Sequence, residues 1–288
     1  MTLPSFGCIV LSMGNRRDDL DRALASVLEQ RGVSVDVLVV GNGWRPLGLD
    51  PRVRALSLEH NVGIPEGRNL GAAEVAGELL LFFDDDAEWC TPDVMAEIAR
   101  RFAADPMLGI LQPRIVDPDG KPTAQRHVPR VRGVDPDRPG DVAGFSEGCC
   151  VIRRACLDEV GGWPGQFFYG HEGIEVAWRA IDAGWRISYA ADLEIRHPAI
   201  APSRHAVYRY NNARNRVWVA RRNLPHPLLE GYLAIWFVAT LLRIRSVKEV
   251  APALKGFKDG FAEPAGDRRV LSWSGAWKLT RLGRPPIL

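Results

Sequence analysis

An α/β fold built on a mostly parallel, doubly wound sheet is predicted by three observations. Strand-length apolar runs alternate with helical periodicity from the amino end, residues 79–83 are apolar at every position, and 288 residues suffice for a large core. An unbroken apolar run argues for a strand covered on both faces, because a half-exposed strand would alternate.

In chain order, strands are expected over 6–12, 35–40, 53–58 and 79–83, with helices over 18–30, 65–76 and 92–104. A further strand is expected over 108–116. Residues 117–141, rich in Pro, Gly, Arg and Asp, predict a long loop or irregular hairpin. Order resumes over 144–153, followed by a helix over 172–183 and short strands near 186–189 and 193–196.

Beyond His197-Pro198 the character changes. A basic helix over 204–223 ends before Pro225 and Pro227. The apolar stretch 228–242 falls short of the roughly 20 residues that span a bilayer. The amphipathic stretch 247–261 reads as a helix lying in a membrane surface, or else as one packed on the sheet or in an oligomer seam.

Composition narrows the class. Five cysteines, an odd number without metal-ligand spacing, read as reduced thiols of a cytosolic protein. The apolar run near the amino end is short and lacks a basic leader, so it reads as a first strand rather than a signal peptide. Charge is strongly divided, with net +11 over residues 203–288 against −9 over 1–202. That split points to an anionic surface as a partner of the tail. Nucleic acid is not expected, because no recognised binding fold accompanies the charge.

The run at 79–83 ends in Asp84-Asp85-Asp86. Ligands of parallel sheets collect beyond the carboxyl ends of the strands, and hard oxygen donors there suit Mg²⁺ or Mn²⁺ bound to a diphosphate. Taken alone, such a triplet also serves as a solvated turn capping the next helix.

Several ordered motifs accompany it: Val39-Val40-Gly41-Asn42-Gly43, the Gly-rich segment from Asn61 through Gly63 and Arg68-Asn69 to Gly71, His171-Glu172 through Arg179 and Gly184, His197, and Arg214-Asn215. Together with the triplet they resemble the family-2 glycosyltransferases of the GT-A fold over about residues 5–223. The similarity is to membrane-associated bacterial members of the rhamnosyl or galactofuranosyl transferase type. The resemblance implies a catalytic domain over 1–202, with a nucleotide-sugar half to about 116 and an acceptor half to 202, and a basic helical extension over 203–288.

Carried over residue by residue, the resemblance implies that Ser12, Met13 and Asn42 hold the nucleotide base and ribose. Asn61, Gly63, Arg68 and Asn69 would serve the phosphates, with Asp84 and Asp85 beside the ribose. Asp86 would be the direct metal ligand, aided by Asp84 and His197. Gly148, Trp163, Phe168, Tyr169, Arg214 and Asn215 would lie on the acceptor side, where aromatics stack on a sugar or lipid head or belong to the core. Two positions depart from the family pattern. Gly41 and Asn42 stand where an acidic residue usually ends the second strand, and Gly173 stands where the acid that serves as general base is expected.

Either Glu172, with His171 beside it, takes over as base, or the protein is a catalytically degenerate partner that binds a nucleotide sugar or glycan. The expected function is metal-dependent, inverting transfer of a hexosyl or deoxyhexosyl group from a UDP-, dTDP- or GDP-linked donor to an acceptor hydroxyl. A lipid-linked or cell-envelope glycan is the expected acceptor, in the cytoplasm at the inner face of the membrane. A sugar-1-phosphate nucleotidyltransferase fits less well, because the loop Ser12-Met13-Gly14-Asn15-Arg16 is not its Gly-rich triphosphate loop.

Overall fold

The computed structural model describes residues 3–121, 123–130, 135–198, 207–244 and 246–287, without the side chains of Val247 and Lys248. Its framework is a sheet of β1 (Ser5–Ser12), β2 (Ser34–Asn42), β3 (Val53–Leu58), β4 (Leu79–Asp84), β5 (Glu88–Trp89), β6 (Leu108–Val116), β7 (Gly140–Asp141), β8 (Cys149–Arg153) and β9 (Arg186–Arg196). The helices are α1 (Arg17–Leu28), α2 (Ile64–Glu74), α3 (Val94–Ala104), α4 (Arg154–Val160), α5 (Glu172–Ala183), α6 (Tyr208–Asn223), α7 (Leu228–Arg243), α8 (Val247–Ala262) and α9 (Trp273–Arg281).

Strand order is β3-β2-β1-β4-β8-β6-β9-β5, with β7 pairing β9. The strands β3, β2, β1 and β4 are parallel, and β6 is parallel to β9. Between these groups β8 runs antiparallel to both β4 and β6. The carboxyl ends of β1, β2, β4, β6 and β9 therefore share one edge with the amino end of β8.

The apolar run of β4 explains the layering. Side chains alternate across a strand, so Leu80 and Phe82 enter one core with Trp163 and the α5 residues Val176 and Ala177. Leu79, Leu81 and Phe83 enter the opposite core with Leu20, Leu24 and Val27 of α1 and Ile98 of α3. Each fully buried side chain of this size contributes about 1.5–3 kcal/mol relative to exposure. Both faces of β4 are thereby committed, and only its acidic end is free to do chemistry.

One expectation changes. The short strands near 186–189 and 193–196 are one strand, β9, which accommodates Ala190-Ala191-Asp192 through a register shift against β6 between Pro113 and Arg114. Within 117–141, Gln125–His127 form a 3-10 turn and β7 pairs β9, while residues 122 and 131–134 lie outside the described residues. The expected start of the basic helix at residue 204 also lies outside them.

The helix α6 is largely buried, and α9 packs on α5. Glu175 of α5 accepts from Arg222 and Asn223 of α6 and pairs with Arg179 at 3.0 Å, a buried charge network joining the two helices. Glu175 and Arg179, at i and i+4 on one face of α5, thus pair within a larger set. No described helix is long and apolar enough to cross a membrane.

Candidate active site

Register brings the predicted residues together. Leu11 of β1 pairs with Asp84, and Phe83 pairs with Cys149, which sets Ser12, the acidic triplet and Gly148 side by side. The Asp84 N–H donates to the Gly148 carbonyl at 2.7 Å. A Cβ at Gly148 would overlap the Asp84 carboxylate, so only glycine permits this approach. Across the edge, the His197 N–H donates to the Val116 carbonyl at 3.0 Å, which fixes His197 beyond β9.

His197 Nε2 lies 3.3 Å from Asp84 Oδ2 and 3.2 Å from Asp86 Oδ1. Burial would lower the imidazole pKa, but hydrogen bonds and charge from the two aspartates overcome it and raise the group to about 9. Burial would raise Asp84, yet His197, Arg68 and Arg16 hold it down at about 2. Asp85 differs: burial raises it to about 6, against the Ser12 hydroxyl, which donates to Asp85 Oδ2 at 2.6 Å, and against Arg16. One ligand atom each from Asp84, Asp86 and His197 lie within 4.8 Å of one another, a spacing that fits a metal ion.

On the nucleotide side, Asn42 uses its whole amide within the protein. Its Nδ2 donates to Asn61 Oδ1 at 2.9 Å and its Oδ1 accepts from Val62 N–H at 2.9 Å. The structure thus assigns Asn42 to holding the 61–63 loop, with Asn61 Oδ1 also accepting from Gly63 N–H. Gly41 has a reason of its own, because a Cβ there would meet Pro46 Cδ at 2.6 Å. Met13 is exposed at the rim, 3.8 Å from Asn61 Nδ2.

Arg68, buried on α2, links the two halves. It lies 3.5 Å from Asp84 and 3.9 Å from Glu172, and stacks over the Trp163 ring at 5.0 Å. Asn69 clasps the Trp163 backbone, donating to its carbonyl and accepting from its N–H, both at 2.9 Å. Trp163 is 2% exposed and edges onto Phe82. It supports Arg68 from the core rather than presenting a stacking face to an acceptor.

Phe168 and Tyr169 are half-buried in the turn before α5, where the Phe168 carbonyl accepts from Ile64 N–H at 2.8 Å. The fully buried Asn215 of α6 ties this turn down by donating to the carbonyls of Phe167, Tyr169 and Gly170 at 2.8–3.0 Å. Arg214 adds a donation to the Phe167 carbonyl at 3.1 Å and lies 4.1 Å over the Trp218 ring. These two α6 residues hold the turn that leads into α5.

His171 caps α5 in the left-handed region, with φ 71°. Its hydrogen-bond partner is Asn212 of α6, and its Nε2 is enclosed without one; burial moves its pKa well down. Glu172 is 4% exposed, and its Oε2 also lacks a hydrogen-bond partner. Burial, then the Glu147 carboxylate, raise its pKa, while Arg68 opposes them.

Three site residues escaped the sequence reading. Arg16 bridges Asp85 and Asp86. Trp44 donates its indole N–H to the Ser12 carbonyl at 2.7 Å. Glu147 accepts from Gly173 N–H at 3.2 Å. Only the glycine at 173, a missing side chain beside a helix start, signalled the last.

Fold and site define a GT-A sugar-nucleotide transferase architecture, and comparison with known proteins agrees. Residues 8–161, just over half the chain, match the family described as Glycosyl transferase family 2, and the chain belongs to that family.

Among curated proteins it is 26% identical over 253 residues to the O-antigen biosynthesis protein RfbC of Myxococcus xanthus, covering 76% of this chain but only 20% of that protein. It is 26% identical over 223 residues to an N-acetylglucosaminyl-diphospho-decaprenol L-rhamnosyltransferase of Mycobacterium tuberculosis, covering 62% of this chain and 71% of that protein. Among solved structures, GalNAc-T7 with UDP, GalNAc and Mn²⁺ superposes with TM-score 0.64 at 14% identity, over 91% of this chain and 57% of that one. The mannosyltransferase PcManGT of Pyrobaculum calidifontis, in complex with GDP-Man and Mn²⁺, gives 0.60 at 19% identity, over 98% and 80%. At these identities the structural likeness establishes the fold.

Proposed function

We propose that this protein transfers a sugar from a nucleoside-diphosphate donor to an acceptor hydroxyl in one displacement that inverts the anomeric centre. The observation that carries the reading is the meeting of Asp84, Asp86 and His197 at the strand ends. Two carboxylates and an imidazole suit Mn²⁺ or Mg²⁺. Such a cation, when bound, supplies positive charge against the leaving diphosphate. The chain's own groups do the rest. The Ser12, Asp85 and Trp44 cluster shapes the nucleotide side, and Arg68, between Asp84 and Glu172, sets a fixed charge between donor and acceptor halves.

The donor class is a UDP-, dTDP- or GDP-linked sugar, a range that UDP and GDP-Man in the solved neighbours support. A lipid-linked or cell-envelope glycan is the acceptor class, supported by the diphospho-decaprenol substrate in the mycobacterial relative's name. The work would be done peripherally at the cytoplasmic membrane face. Supporting this are the net +11 of residues 203–288 and an exposed apolar stripe on α7 made by Ile235, Val238 and Leu242.

Calorimetric titration of wild type and Asp86→Ala with UDP, dTDP and GDP, with and without Mn²⁺, tests the donor site. One nucleotide should bind wild type only with Mn²⁺, and Asp86→Ala should lose that binding. Failure of all three to bind wild type would remove the proposal.

A further inference from the structure

We propose that Glu147, rather than Glu172, is the group that takes the proton from the acceptor hydroxyl, standing in the space that Gly173 leaves open. This deepens the transferase reading above and rests on it. The geometry is direct. A Cβ built at Gly173 would lie 2.6 Å from Glu147 Cδ and closer still to its Oε1, so the Glu147 carboxyl and a side chain at 173 exclude each other. Gly173 carries no backbone strain that demands glycine, since it is a helical residue of α5 outside the set with positive φ. Its lack of a side chain is explained by what fills the place.

Accessibility separates the two carboxylates. Glu172 is folded inward against Arg68 at 3.9 Å and is 4% exposed. Glu147 is only half-buried, in the loop just before β8. The Gly173 N–H, at the amino end of α5, donates to Glu147 at 3.2 Å and fixes the carboxyl there. Glu147 also follows directly into Gly148, whose carbonyl holds Asp84. The loop that sets the donor-side aspartate therefore also sets the acceptor-side carboxylate.

In the step itself, the acceptor O–H proton passes to the Glu147 carboxylate as the oxygen forms its bond to the anomeric carbon. The electron pair of the breaking carbon–oxygen bond leaves on the nucleoside diphosphate. Proton loss to solvent then regenerates the carboxylate. Glu172 acts as a positioning residue, holding Arg68 behind the reacting pair.

The test measures nucleoside diphosphate release from UDP-, dTDP- and GDP-linked sugars, with Mn²⁺ and water as acceptor. It compares wild type, Glu147→Gln, Glu147→Ala, Glu172→Ala and Glu147→Ala combined with Gly173→Asp. Glu147→Gln keeps an oxygen for the Gly173 N–H, so nucleotide affinity should stay unchanged while turnover falls about 10²-fold or more. Sodium azide, a nucleophile that brings no proton, should restore turnover of Glu147→Ala and give the inverted glycosyl azide. Gly173→Asp, placing a carboxylate in the vacated volume, should recover at least about tenfold of the loss.

Turnover of Glu147→Gln within threefold of wild type would overturn the assignment, as would azide rescue of Glu172→Ala but not of Glu147→Ala. No release by wild type from any donor would instead remove the transferase reading itself, and this assignment with it.

Discussion

At the scale of single residues, the site is a set of carboxylates pushed apart in acidity by their surroundings. Asp84 is held low by His197 and the neighbouring arginines, whereas burial lifts Asp85 and Glu172. The Glu172 shift has a consequence for stability. A carboxyl whose folded pKa lies above its ordinary value, here 4.5, binds its proton more tightly in the folded state. Stability therefore falls as pH rises from that ordinary value through the raised one, and the full penalty remains above it. Glu172→Gln removes the penalty. Its melting temperature should exceed that of wild type at about pH 8.5, by roughly 2–4 °C for each kcal/mol relieved, and the gap should narrow toward about pH 5. A gap that is constant or widens in acid would show that burial of the Glu172 charge is not the cause.

Among the elements, what could be read from sequence depended on whether the signal was local. The strand β4 was legible because its unbroken apolar run has one physical explanation, burial on both faces, and the triplet after it followed as a candidate site. The antiparallel insertion of β8 was not, since strand direction leaves no periodic trace. The continuity of β9 was hidden by Ala190-Ala191-Asp192, which looks like a turn and is carried by a register shift instead. Likewise Ser12, Asp84 and His197 were legible through motif order, whereas Arg16 and Glu147 act through partners far along the chain. The Glu175–Arg179 pair was legible from its spacing, but Arg222 was not, although it makes the junction of α5 and α6. Removing Glu175 would leave two arginines facing each other in a buried space. Glu175→Ala should cost about 3–5 kcal/mol in urea unfolding, and a loss under about 1 kcal/mol would mean that apolar contacts alone hold α6.

Over the whole molecule, charge and apolar exposure are both uneven, and they meet in the carboxyl-terminal helices. The α6 helix is bound into the domain by Asn215 and the Glu175 network, so its arginines serve the interior as well as the net charge. The outer helices differ. On α7, Ile235, Val238 and Leu242 follow one another at helical spacing and are exposed, Leu242 at 80%. Phe237 of α7 packs on Phe257 of α8 at 5.2 Å, which brings Leu254 and Phe261 of α8 into the same helical pair.

An exposed apolar stripe costs free energy in water and gains it in the headgroup region, and surrounding Arg and Lys add attraction to anionic lipid. Wild type should therefore float with vesicles of phosphatidylglycerol and phosphatidylcholine at about 50 mM salt, and less so at about 500 mM. Val238→Glu combined with Leu242→Glu should abolish flotation while leaving nucleotide binding intact, because neither residue touches the strand-end site. If the double variant floats as wild type does, the attachment is electrostatic alone and the α7 stripe serves another contact. If wild type fails to float even at low salt, the acceptor must reach the site without the membrane surface.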